Sequence, residues 1–302
     1  MTRRQALFTA AAATSSLAAQ AGVPVLDTHI HLFDPTRPQG IPWPPKDNKL
    51  IYKKTLPADF AKVARPHNVV GAIEVECSPW FADNQWVLDV IEKDKLMVGT
   101  IGNLEPDKPD FRQQLDRFAK NKLFLGIRYG NLWERDLGDG LKKPEFVAGI
   151  KALAAAGRTL DSANPTPKLL DDLLRLTDAV PGLRVVIDHL PNMKPSVKAA
   201  EAQIRKFGPR AQVYVKLSAV LQKVDGKVNR DVAAYKGTLD TLFGIFGPDR
   251  VIYGSDWPNS EPLGPYDHIF SVVHDYFAAQ PVDVREKYFL KNSVAAYRWQ
   301  RR

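Results

Sequence analysis

Eight short runs rich in β-branched and apolar residues recur along the chain, and almost every one is followed by a stretch whose apolar side chains repeat at helical spacing. The runs fall at 23–33, 69–77, 96–104, 123–129, 158–161, 183–189, 213–218 and 250–257. Each is apolar enough to be buried on both faces, which is the form that strands of a parallel, helix-covered sheet take. No glycine-rich phosphate turn follows the first run and no Walker motif occurs, which argues against an open nucleotide-binding sheet. The pattern predicts an α/β protein with one (β/α)₈ barrel (a TIM barrel) over residues 22–302, without an internal linker. Helices are expected, among other places, over 196–207 and 284–299.

In such a barrel, functional residues come from the carboxyl ends of the strands. The first run ends in His29 and His31, the second in Glu74 and Glu76, the fourth in Arg128 and the fifth in Asp161. The sixth ends in His189, the seventh in Lys216 and Ser218, and the eighth in Asp256. Residues two apart on a strand share a face, so Asp27, His29 and His31 are expected to project together. Three imidazoles and a carboxylate on one rim suit a single divalent ion, zinc or manganese, with His29, His31, His189 and Asp256 as ligands and a water completing the shell. A metal there lowers the pKa of bound water toward about 7 and polarises a carbonyl, and Asp256 can take the water's proton. Asp256 and His189 are therefore the candidate catalytic groups. Arg128 offers a planar fork of donors to a substrate carboxylate or a developing oxyanion, or else pairs with Glu74 or Glu76. Glu76 and Lys216 are the other candidate substrate contacts, although a lysine in such a place more often pairs or snorkels. His67, His268 and His274 fall away from the rim and read as structural.

Composition narrows the partners. The chain has 302 residues, 44% hydrophobic and 25% charged, as globular proteins do. Its 42 Lys+Arg against 34 Asp+Glu give +8, but the basic residues are scattered, and no stripe or module for nucleic acid is present. The excess favours a small anionic substrate. Cys77 is the only cysteine, so no internal disulfide or cysteine metal cluster can form, and it reads as a buried thiol. Residues 1–21 carry Arg3 and Arg4 ahead of an alanine-rich run and end in Ala19-Gln20-Ala21, a small-x-small cleavage site. They are expected to be a twin-arginine-type signal peptide read by the export machinery, which places the mature protein in the periplasm or outside the cell. No later run approaches a membrane span. The proline-dense stretch 34–45, which carries Trp43, either covers the site or loops out over the surface.

Five sequence words occur in order from Val25 onward: 27–35 (DTHIHLFDP), 126–128 (GIR), 186–189 (VIDH), 213–218 (VYVKLS) and 253–258 (YGSDWP). With the closing stretch 291–299, they make the chain resemble the amidohydrolase superfamily. More narrowly, it is similar to the amidohydrolase-2 group, which includes sugar-acid lactonases and pyrone-dicarboxylate lactonases. The resemblance implies that His29, His31 and His189 line the metal or substrate site, that Asp256 is the catalytic acid/base and that Arg128 holds the substrate. The fourth strand brings Arg128 where a carboxylated lysine would bridge two metals, so one ion is implied rather than two. The group's usual Gly-x-Pro after the sixth-strand histidine reads Leu190-Pro191-Asn192 here. Some lactonases with the same histidines work without a metal, the imidazoles then bonding the lactone carbonyl and its water directly. The implied activity is opening of a lactone of a carboxylated or sugar-derived small molecule. Metal-dependent decarboxylation and, last, a non-catalytic periplasmic binding protein are the alternatives.

Overall fold

The computed structural model describes residues 22–302, so the expected signal peptide lies outside the described residues. The eight expected strands form one parallel sheet. They are β1 (Val25–Ile30), β2 (Val69–Val75), β3 (Met97–Gly102), β4 (Phe124–Arg128), β5 (Thr159–Ser162), β6 (Arg184–Ile187), β7 (Val213–Lys216) and, after a small hairpin of β8 (Lys223–Val224) and β9 (Lys227–Val228), β10 (Val251–Ile252). They neighbour one another in the order β1-β2-β3-β4-β5-β6-β7-β10. The ring closes through backbone bonds beyond β10. His31 N–H donates to the Trp257 carbonyl at 2.8 Å, and Asp256 N–H to the His29 carbonyl at 2.9 Å. The last strand is thus shorter than expected, and its continuation to Trp257 is the seam of the barrel.

Alternation along each strand divides the core in two. Leu26, Ile73, Val98, Leu125, Val186 and Ile252 pack together on one face of the sheet, inside the barrel. On the other face Val25, Ile127, Val185 and Val251 meet helix residues such as Phe60, Phe118, Phe146 and Phe207. Each fully buried phenylalanine contributes roughly 2–3 kcal/mol relative to exposure. Gly126 sets the approach of β4 to β5, because a Cβ there would lie 2.1 Å from the Thr159 carbonyl oxygen. Any side chain at 126 would push the strands apart and carry Arg128 with them.

Two helices differ from expectation. Over 196–207 only Glu201–Ile204 is α-helical, preceded by tight turns such as Ala199 N–H to Ser196 O, 3.0 Å, and followed by a 3₁₀ turn. The terminal helix is interrupted by a π-helical turn at Lys287–Lys291 between Val282–Glu286 and Asn292–Tyr297. The wider turn lets the consecutive residues Tyr288 and Phe289 both face the core, where Tyr288 stacks on Phe277 at 3.8 Å. Tyr297, from the last helix, enters the interior and donates its hydroxyl to Asp161 Oδ2 at 2.9 Å. No helix among the described residues is long and apolar enough to cross a membrane.

Candidate active site

The cleft lies at the carboxyl ends of the strands, and its floor is built from both sides of the seam. β1 delivers His29 and, one residue beyond its end, His31. His189 follows β6 and Asp256 follows β10, each with a left-handed backbone (φ 54° and 60°) that turns the side chain back over the barrel axis. Such conformations cost non-glycine residues about 1 kcal/mol or more and persist where surrounding contacts impose them. All four residues are buried. Asp27 departs from the expected common face. It keeps the outward face of Val25, where it accepts from Tyr266 Oη at 3.0 Å and Ser255 N–H at 2.9 Å, and a register shift between Asp27 and Ile30 puts His29 on the inner face instead. Asp27 ties β1 to the seam.

Three imidazole nitrogens surround one oxygen. The Nε2 atoms of His31, His29 and His189 lie 3.1, 3.6 and 3.7 Å from Asp256 Oδ1. His31 Nδ1 faces the Val75 carbonyl at 2.7 Å and so carries the ring's proton, which leaves a lone pair on Nε2 pointing at the carboxylate. A cation between them, or a second proton on the ring, relieves that repulsion. His29 Nε2 is buried without any hydrogen-bond partner. Zinc–nitrogen bonds of about 2.0–2.1 Å put tetrahedral ligand atoms about 3.3 Å apart, close to the spacings found here. His29, His31 and Asp256 bring their ligand atoms together and fit one divalent ion, while His189, 3.7 Å from Asp256 and held at Nδ1 by Ser218 Oγ at 2.7 Å, groups with His29 and Asp188.

The electrostatics agree with that use. Burial, then the charges of Lys216 and His189, hold His29 well below the ordinary imidazole range, and burial lowers His189. Both rings are thus neutral and able to ligate. Burial pushes Asp256 up, but the facing imidazoles, His189 first, and the bond to His31 outweigh it and hold the carboxyl below its usual range. Asn259 Nδ2 donates to Asp256 Oδ2 at 2.8 Å and fixes its orientation.

Arg128 stands in the cleft wall, and its partner is not a glutamate side chain. Its Nε lies 3.2 Å from Asp188 Oδ2, and its Nη1 donates to the Glu76 carbonyl at 3.1 Å. Two expectations change. Lys216 is fully buried beneath the histidines, with Nζ 2.7 Å from Asp161 Oδ2, 3.0 Å from Asp188 Oδ1 and 3.2 Å from His29 Nδ1. An ammonium with three neighbours and no exposure positions the floor and does not reach a substrate. The Glu76 carboxylate accepts from Trp133 Nε1 at 3.0 Å and Ser78 N–H at 3.1 Å, so it props the cleft wall from behind. Trp43 lines the cleft with its ring 5.7 Å from that of His31, so the 34–45 stretch covers the site. The other lining residues, Leu132, Trp133, Asn164 and Asn259, sit on loops after β4, β5 and β10, where no periodicity marks them in the sequence. Only Asn259, in the turn three residues past Asp256, carries a local hint. Cys77 borders the cleft, and burial pushes its thiol well above the usual range, so it stays protonated. His67 packs on Tyr266 and Phe270, away from the rim.

A family profile described as Amidohydrolase matches residues 26–299, nearly all of the described chain. The chain belongs to the amidohydrolase family, and it is a hydrolase. This amidohydrolase is 26% identical over 246 residues to an L-fucono-1,5-lactonase of Burkholderia ambifaria, covering 80% of this chain and 82% of that protein. It is 24% identical to a 4-sulfomuconolactone hydrolase of Rhizobium radiobacter, covering 79% of this chain and 77% of that one. Among solved structures it superposes on an amidohydrolase of Burkholderia multivorans with bound zinc, with a TM-score of 0.82, 18% identity, and 92% and 100% of the two chains covered. At that identity the likeness speaks for the fold.

Proposed function

We propose that this amidohydrolase opens a lactone ring, with one divalent ion held by His29, His31, His189 and Asp256, and with Asp256 as the acid/base. The observation that carries the reading is the convergence of three imidazole Nε2 atoms on a single ionised carboxylate oxygen at the floor of a covered cleft. The lactonase names of the curated relatives support the substrate class. When bound, the ion supplies Lewis acidity to the lactone carbonyl and acidity to the attacking water. Asp256 accepts the proton of that water as its oxygen bonds the carbonyl carbon. It returns the proton to the ring oxygen as the C–O bond breaks, so the product is a hydroxy acid. Asn259 holds Asp256 in line through both transfers, and His189 helps to keep its charge in place. Arg128 presents its remaining guanidinium N–H groups to the substrate, its charge balanced by Asp188. Trp43 and Trp133 close the cleft and exclude water from the ring faces. We also read residues 1–21 as an export signal, which fractionation of cells carrying Arg3→Lys/Arg4→Lys tests.

The test is lactone hydrolysis followed with a pH indicator, beside elemental analysis of protein purified without chelator. We expect acid release and close to one zinc or manganese per chain, with the metal lost in the His29→Ala/His31→Ala double variant. Turnover by metal-free protein would leave the histidines as direct substrate ligands. Release of carbon dioxide would move the reading to decarboxylation.

A further inference from the structure

The cleft has two lobes that meet over the acid/base. One cavity of about 220 Å³ is walled by Trp43, Leu132, Trp133 and Arg128. A second, of about 240 Å³, is walled by Thr166, Asn192, Lys194 and Ala219. His189, Asp256, Asn164 and Asn259 line both, so a ligand reacting at Asp256 has room to extend into either.

Charge distinguishes the lobes. In the first, the Arg128 guanidinium is already neutralised by Asp188 and donates to the Glu76 carbonyl. In the second, Lys194 is exposed, and among the described residues no carboxylate lies within ion-pair distance of it. It is the cleft's uncompensated cation. Asn192 and Asn164 line the same lobe, and the helix Pro167–Ala179 opens at Thr166 on its wall, adding partial positive charge. The first lobe, flat and aromatic, suits the faces of a ring. The second suits an anion.

We propose that the second lobe is a subsite for an anionic arm of the substrate, a carboxylate on the carbon chain beyond the lactone ring, and that Lys194 recognises it. This rests on the lactonase reading and goes past it: the ring packs against the tryptophans, its carbonyl lies over Asp256, and the arm crosses Asn164 and Asn259 to Lys194. Arg128, which the sequence nominates for a substrate carboxylate, instead serves polar groups of the ring.

Galactaro-1,4-lactone and galactono-1,4-lactone test the proposal, because they differ only in a carboxylate or a hydroxymethyl group at the end of the arm. Wild type is expected to favour the charged lactone. In Lys194→Ala the ratio of kcat/KM for the charged to the neutral lactone should fall about threefold, through KM. Lys194→Glu should lower it further, and Lys194→Arg should restore it. An unchanged ratio in Lys194→Ala would overturn the proposal, whatever happens to both rates together. If neither lactone is opened, the lactonase reading fails separately, and calorimetric titration with galactarate decides the subsite. Binding to wild type that weakens about threefold in Lys194→Ala upholds it, and equal or absent binding sinks it.

Discussion

The two ends of the barrel use charge in opposite ways. At the amino-terminal end, Arg250 donates to backbone carbonyls of Phe207, Gly208, Arg210 and Ile245, neighbours that no ligand or pH change can remove. At the carboxyl end, Arg128, Lys216, Asp161, Asp188 and three histidines face one another. His29 Nε2, Asp161 Oδ1 and both Asp188 oxygens are buried without a hydrogen bond. A polar group satisfied by backbone fastens the fold. One held largely by other ionisable groups, with capacity to spare, is poised for something that arrives from outside.

The contrast is open to direct attack. Asp256→Asn should cut kcat/KM by about 10³-fold while the melting temperature stays near that of wild type, since the change removes the base and nearly keeps the shape. A large loss of stability instead would make Asp256 part of the scaffold. Lys216→Met should do the reverse of a surface change. It removes the cation that Asp161 and Asp188 share, leaving them Tyr297 and Arg128, and should cost about 3–5 kcal/mol by denaturant titration. A loss below about 1 kcal/mol would mean that these carboxyls share a proton without the lysine's help. At the other end, Arg250→Ala should cost about 2 kcal/mol, with kcat/KM within twofold of wild type. Impaired catalysis at unchanged stability would erase the distinction between the ends.

The smallest effect concerns Asp27. Burial raises its pKa to about 6, against about 3.9 in an unfolded chain. The native state holds the proton more tightly, so this contribution to stability is complete below about pH 4 and is lost as pH rises through 6. Unfolding free energy should therefore decline between pH 4 and 6.5 by on the order of 2 kcal/mol from this group. Asp27→Asn should flatten that decline, and an unaltered slope would assign it elsewhere.

The strands were legible in sequence because a parallel barrel buries both faces, and runs such as 183–189 leave little else to be. The rim followed from the strand ends, which is why His29, His31, His189 and Asp256 could be named together. What escaped was direction. Asp27 lies on the expected strand, yet it keeps Val25's outward face while His29, past a register shift, turns inward. Glu76 and Lys216 stand where expected, but Trp133 and Asp161 draw them away from the cleft, across 57 and 55 residues of chain. Asn164, Asn192 and Lys194 occupy loops, whose course is set by what they meet and not by a repeat.

The seam carries a last consequence. His29 and Asp256 are separated by 227 positions (256−29), yet they face each other because the first and last strands join. A chain still emerging from the ribosome, or one clipped before Asp256, has its histidines without the carboxylate on which their Nε2 atoms converge. Hydrolysis is therefore a signal of completed ring closure. On refolding, catalysis should return only after the helical signal has recovered, with a delay equal to the time the ends need to find each other.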